Sequence, residues 1–175
     1  MKIAVLGYSG SGKSLLTARL AQALELPALH LDQVHWIPGW KEQEPEAEQQ
    51  QVKQFLDGHQ SWVIDGNYLA LWGDRRLAEA DVILLLQFSR WTCLKQILKR
   101  RRQNRGRSRP SMTQGCPEKL DREFLSWVLF VGRNANRRKG YDGILARYPQ
   151  KALRFTRPKE LEAWKQDFLR PRQPG

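Results

Sequence analysis

"KIAVLGYSGSGKSLLTARLAQAL", residues 2–24, joins an apolar run to a bend of glycines and serines and then to a helical pattern. The run from Lys2 to Leu6 is short, apolar and closed by a glycine, as in a strand covered on both faces. Residues 13–24 carry helical spacing. Between them, Gly7-Tyr8-Ser9-Gly10-Ser11-Gly12-Lys13-Ser14 matches G-x-x-x-x-G-K-[ST], in the strand-to-helix context that gives the spacing its meaning. Glycines allow dihedrals closed to other residues, so successive backbone N–H groups turn inward and form a nest for an anion. The helix that follows adds the positive end of its dipole. The stretch predicts a nucleotide triphosphate site. Its expected binding residues are Gly10, Ser11, Gly12, Lys13, Ser14 and Leu15, with Lys13 reaching the β- and γ-phosphates and Ser14 ligating Mg²⁺.

Outward from this stretch, apolar runs and helical patterns alternate. Residues 28–31 read as a second strand ending at Asp32, followed by the loop "VHWIPGW", and residues 42–57 as a surface helix. "SWVIDGN" reads as a third strand ending at Asp65, and "DVILLLQF" as a fourth. Residues 92–102 read as a basic helix, and the Gly, Ser, Arg and Pro of 103–117 as a mobile lid. Apolar positions 120, 124, 125, 128, 129 and 131 predict one long amphipathic helix. A fifth strand and a last helix starting near Pro158 close the chain. The strands are too apolar for a half-wet sheet. The expected architecture is therefore α/β: a P-loop NTPase fold with a five-stranded parallel sheet, helices on both faces and a short basic lid, in one domain.

Composition agrees with that reading. A chain of 175 residues with 41% hydrophobic content builds one sizeable core. Thirty Lys and Arg against eighteen Asp and Glu give a net charge of +12, which favours phosphate-rich partners. Cys93 and Cys116 stand far apart without CxxC or His pairing, which argues against a disulfide framework and against zinc. The first apolar run is too short for a signal peptide or a membrane span, so a cytoplasmic protein without a membrane partner is expected.

No Asn is followed by Lys-x-Asp, the base-reading segment of a GTPase, and no apolar strand ends in the Asp-Glu of a mechanical ATPase. The remaining compact class is a small kinase, which needs a phosphate cradle, a metal, an acceptor-orienting group and cations that follow the moving charge. Asp32 is the expected catalytic carboxylate beside Lys13, and Asp65 the carboxylate expected to join Ser14 at the metal. From "KRRRQNRGRSR", residues 99–109, Arg100 and Arg109 are the cations expected at the transferring phosphoryl group. His30, His35 and His59 lack ligand spacing. Trp36 and Trp40 flank "IPG" near the expected acceptor site, where packing is the commoner role of such residues and stacking of a base or sugar on one of them the alternative, whereas Trp127 and Trp164 have the spacing of core residues.

The order of these motifs, with "LHLDQVHWIPGW", "WVIDGNY", "SRWTCLKQILKRR" and "GRSRPSMTQGCPEKLDREFLSWV", resembles the adenylate-kinase-related P-loop family often labelled DNA topology modulation proteins. The resemblance spans nearly the whole chain. It implies a nucleoside- or nucleotide-kinase-like fold with five parallel strands and a lid, with Gly10, Gly12, Lys13 and Ser14 in the cradle and Arg100 at the lid hinge against ATP phosphates. One departure concerns the acceptor. The related kinases carry Asp-Gly-x-Pro-Arg after the third strand, where this chain reads Asp65-Gly66-Asn67-Tyr68-Leu69. Either the acceptor lacks a phosphate or Arg75 or Arg76 replaces the missing grip.

The expected activity is ATP- and Mg²⁺-dependent phosphoryl transfer to a small acceptor such as a nucleoside or nucleotide. The alternative suggested by the charge is an ATP-dependent protein that binds nucleic acid or modifies a polynucleotide end. Under that alternative, affinity for DNA or RNA should fall with salt at a log-log slope of about one per phosphate contact. A flat profile in a filter-binding titration would remove nucleic acid as a partner.

Overall fold

Successive side chains of a strand point to opposite faces of a sheet. In the first strand, Ile3 to Leu6 are all at most 1% exposed, so both faces of the sheet are covered at this point. The computed structural model describes residues 1–103, 111–116 and 120–170. Its strands are β1 (Lys2–Gly7), β2 (Ala28–His30), β3 (Trp36–Ile37), β4 (Lys41–Glu42), β5 (Trp62–Asp65), β6 (Val82–Leu86) and β7 (Ala152–Phe155). The α-helices are α1 (Lys13–Leu24), α2 (Leu31–His35), α3 (Pro45–Gly58), α4 (Gly73–Glu79), α5 (Arg90–Gln103), α6 (Arg122–Leu129), α7 (Ala135–Arg147) and α8 (Pro158–Phe168). Five strands form a parallel sheet in the order β2-β5-β1-β6-β7, flanked by helices, while β3 and β4 make a separate antiparallel hairpin.

The sheet centre is the driest part of the molecule. Ile83 to Leu86 of β6 are fully buried against β1 in the register Ile3↔Val82 to Gly7↔Leu86. Burying each such aliphatic side chain stabilises by about 1.5–3 kcal/mol, against a net stability of only about 5–15 kcal/mol for a domain, so a polar residue at any of these positions would endanger the fold. Helix α1 lays Leu16, Thr17, Leu20 and Ala21 against the sheet, a stripe of helical spacing, and stops where Glu25 takes a left-handed conformation.

From β1 the chain crosses to β2 at one edge, and from β6 it continues to β7 at the other. The connections therefore diverge between β1 and β6, which opens a crevice at the carboxyl ends of the strands. Gly7 lies at that divergence with φ 148°, and a Cβ there would fall 2.3 Å from the Leu86 carbonyl oxygen. Only a residue without a side chain lets β1 turn off so close to β6.

Three expectations are corrected. Asp32 does not end a strand: β2 stops at His30, and Asp32 lies in the first turn of α2. The segment expected as the loop "VHWIPGW" is ordered by the β3–β4 hairpin, paired through Trp36↔Glu42 and Ile37↔Lys41. The single long helix expected beyond residue 120 is two helices. Asp121 caps α6 by accepting from the Phe124 N–H at 2.7 Å, a 3₁₀ turn runs from Val131 to Arg133, and Asn134 caps α7 by accepting from the Arg137 N–H at 2.9 Å. Apolar periodicity bridged a break that the capping residues impose. A further helix, α4, was not anticipated. It carries Arg76 inward, where the guanidinium donates to the Leu71 and Tyr68 carbonyls at 2.8 and 2.6 Å. Burial pushes the Arg76 pKa down to about 10, so it remains charged at neutral pH.

Both cysteines are free and buried, and among the described residues no helix is long and apolar enough to cross a membrane. Two glycine substitutions separate the constraints on the fold. Gly7→Ala should lower stability by about 3 kcal/mol or more in urea titration, since the backbone atom it meets cannot move aside. Gly140→Ala, in α7 with nothing within 4 Å of the added carbon, should raise stability by about 0.5–1 kcal/mol.

Candidate functional site

The loop from Gly7 to Ser14 folds back over the crevice. The Tyr8 N–H donates to the Leu86 carbonyl at 3.0 Å, and the Ser11 N–H to the Tyr8 carbonyl at 3.1 Å. Gly12, at φ 86°, precedes α1 without any side-chain cap, and there is no acidic residue in the first turn. The leading N–H groups of α1 are therefore presented as donors, with the positive end of the helix dipole behind them. Helix α5 packs closely on the other side of the loop: a Cβ on Gly10 would lie 2.6 Å from Ile97.

Lys13 bends back over its own loop, Nζ donating to the Gly7 and Tyr8 carbonyls at 3.1 and 3.3 Å. Ser14 points the other way, toward the sheet, its Oγ donating to Asp65 Oδ1 at 3.3 Å. Asp65 is buried at the end of β5, and its second oxygen meets His30 Nδ1 at 2.5 Å. A hydroxyl and a buried carboxylate thus stand together at the start of α1, a pair of hard oxygens suited to Mg²⁺ completed by phosphate and water. Among the described residues, no three His, Cys, Asp or Glu side chains gather into a self-sufficient metal cage.

These elements open into a cleft of about 1530 Å³. Typical small-ligand pockets hold about 300–1,000 Å³, so this one has room for two ligands side by side. Gly10, Ser11, Gly12, Lys13, Ser14 and Leu15 all line it. So do Asp32, on α2, and Arg100, on α5. Asp65 lies beneath its wall, reached through Ser14. Arg109 falls outside the described residues. Of the expected lid, the described part, residues 111–116, is tied to the hairpin: Thr113 donates to the Trp36 carbonyl, the Gly39 N–H to the Gly115 carbonyl at 3.1 Å, and the Cys116 thiol to the Ile37 carbonyl at 3.3 Å.

The histidines each have a partner. His30 meets Asp65, His35 Nδ1 lies 2.7 Å from buried Glu48, and His59 bonds the Phe55 carbonyl. Trp36 and Trp40 line the cleft with their rings edge to face at 5.6 Å. Trp127 departs from expectation. It is 40% exposed and lines the cleft instead of filling the core. Trp164 does pack inward, against Phe155 and Phe168.

Four further residues hold the site, and motif spacing did not reveal them. Asn67 grips the first peptide of the loop in both directions, accepting from the Gly7 N–H at 3.0 Å and donating to the Gly7 carbonyl at 2.7 Å. Tyr141 of α7 donates to the same Asn67 oxygen at 3.3 Å. Tyr68 donates its hydroxyl to Asp32 Oδ1 at 3.1 Å, and burial together with the Asp32 charge holds its pKa far above the ordinary phenol value, so it stays a donor. Arg133 lies 4.1 Å over the Tyr8 ring and donates to the Val128 and Phe88 carbonyls at 2.9 and 2.8 Å, joining the loop to α6 and to the segment just after β6. Asn67 and Tyr68 lie just beyond β5, and position past the carboxyl end of a parallel strand is the sequence signal that could have found them.

No protein-family model matches the chain, and no curated protein sequence is significantly similar to it. Solved structures do match. A crystal structure of an uncharacterized protein from Eubacterium ventriosum superposes with a TM-score of 0.52 at 15% identity, over 98% of this chain and 100% of that one. At that identity the likeness concerns the fold.

Asn67→Ala should cost about 1–3 kcal/mol of stability, because it leaves the Gly7 N–H without its partner and the Gly7 carbonyl with Lys13 alone. In hydrogen exchange, the amides of residues 7–14 should lose protection before those of β6. Equal loss throughout the sheet would deny Asn67 a local role.

Proposed function

We propose that this chain is a P-loop kinase that transfers the γ-phosphoryl group of ATP to a hydroxyl of a small acceptor. The observation that carries the reading is the start of α1. Donor N–H groups, the Lys13 ammonium, the Ser14 hydroxyl and the buried Asp65 carboxylate converge there on one wall of a two-ligand cleft. Anions are stabilised where a helix N-terminus and a backbone nest coincide, which suits a triphosphate.

In this reading the amides of Gly10 and of Gly12 to Ser14 hold the β- and γ-phosphates, and Lys13 exchanges its carbonyl partners for phosphate oxygens. Ser14 and Asp65 would hold Mg²⁺, which when bound offsets charge on the β- and γ-phosphates. His30 fixes the orientation of Asp65. Asp32, held by Tyr68, accepts the proton of the acceptor hydroxyl as its oxygen bonds to the γ-phosphorus. The bond from phosphorus to the bridging oxygen breaks, and ADP leaves with that electron pair. Arg100 supplies positive charge from α5. Catalysis is then mostly positioning and charge, the usual division of labour in phosphoryl transfer.

Two substitutions test the assignment. Lys13→Ala removes charge-assisted hydrogen bonds of about 1.5–3 kcal/mol each, so ATP affinity in calorimetry should fall about 10–100-fold while the thermal midpoint holds. Asp32→Asn should leave ATP affinity unchanged and reduce transfer about 10²–10⁴-fold in a coupled ADP assay. Undiminished ATP binding by Lys13→Ala would end the triphosphate reading.

A further inference from the structure

The cleft has two unlike ends. Among the described residues, the wall along α1 and α5 carries the loop, Arg19, Lys99 and Arg100 and is bordered by Asp121, Glu123 and Glu162, whereas the wall formed by α2, the hairpin and the turn after β5 carries Asp32, Trp36, Trp40, Glu42 and Tyr68 and no lysine or arginine. The two carboxylates disfavour a dianionic phosphate, while carboxylates accept from vicinal hydroxyls and indole faces take the C–H face of a ring.

The two arginines that follow β5 are engaged elsewhere. Arg76 is buried and donates to the Leu71 and Tyr68 carbonyls. Arg75 pairs with Asp57 at 2.7 Å and with Glu79 at 2.6 Å on the outside of α4. Neither lines the cleft.

Trp40 adds a third observation. In the three-residue turn between β3 and β4 it takes φ 62°, the left-handed region that favours glycine. A bulky side chain there costs about 1–2 kcal/mol. The turn is nevertheless anchored, through the bonds of Gly39 to Gly115 and of the Gln43 N–H to the His35 carbonyl at 2.8 Å. Backbone strain retained where an indole lines a cleft is consistent with a role for that side chain in holding a ligand.

We infer that the acceptor is an unphosphorylated polyol ring, a free sugar or the ribose of a nucleoside, seated on Trp40 with a hydroxyl directed at Asp32. The inference rests on the kinase reading for its chemistry, but its binding half is measurable without ATP. The four ribonucleosides, ribose and glucose are titrated against indole fluorescence, and each nucleoside is compared with its 5′-monophosphate in the ADP assay.

The expected result is quenching by at least one of these polyols, with a KM at least about tenfold below that of the corresponding monophosphate where a nucleoside binds. Quenching by nucleosides alone or by free sugars also identifies the source of the ring. Trp40→Gly should abolish the quenching and raise the acceptor Kd at least about tenfold. Its thermal midpoint should be equal or higher because the strain is gone, and its ATP affinity should be unchanged. Preference for monophosphates, absence of quenching by every polyol, or a Trp40→Gly protein that loses stability while keeping acceptor affinity would overturn the inference. Loss of ATP binding in the unaltered protein would strike the kinase reading instead.

Discussion

Everything at the site depends on how closely β1 approaches β6 where Gly7 meets the Leu86 backbone. Because there is no side chain at Gly7, the chain leaves the sheet at its dry centre and turns at once toward α1. The loop is thereby pressed between the sheet end and α5, and the start of α1 faces the crevice with its donors unsatisfied by any cap. A longer detour would leave the same residues on a solvated loop, where oriented amides are screened and reorganise.

Around that approach the protein has built supports from distant segments. Asn67 bonds both the N–H and the carbonyl of Gly7, Tyr141 holds Asn67, and Arg133 covers Tyr8 while bonding the Phe88 carbonyl just beyond β6. These residues come from the turn after β5, from α7 and from the 3₁₀ turn before it. Their value is cooperative. Buried polar groups in a network stiffen one another when all are partnered, and each becomes costly when one is lost. The break between α6 and α7 has a purpose here, since it delivers Arg133 to the loop.

The two ends of the cleft divide the chemistry. The wall made by α1 and α5 is rich in backbone donors and carries Arg19, Lys99 and Arg100, and the wall made by α2, the hairpin and the turn after β5 is aromatic and, among the described residues, bears carboxylates without a lysine or arginine. Segment 111–116 bonds to the hairpin through Thr113, Gly115 and Cys116, so the chain that follows α5 in sequence steadies the wall opposite to it.

Local chemistry alone was enough to locate β1, the glycine-rich loop and α1 to within a residue, because strand burial, a glycine bend and a helical stripe are short-range signals that agree here. It also placed β5, β6, β7 and α8, and it brought forward Lys13, Ser14, Asp32, Asp65 and Arg100 as residues that the fold then gathers around one cleft or just beneath its wall. Helix α4 stayed hidden because its short span starts from a left-handed Trp72 and is held by an inward arginine, and the α6–α7 break because apolar spacing ran across it. The strand order, the partners of Asn67, Tyr68 and Arg133, and the engagement of Arg75 and Arg76 away from the cleft depend on contacts between residues far apart in the chain. No local propensity encodes those contacts, since they are set when the sheet closes and each polar group must find a partner inside it.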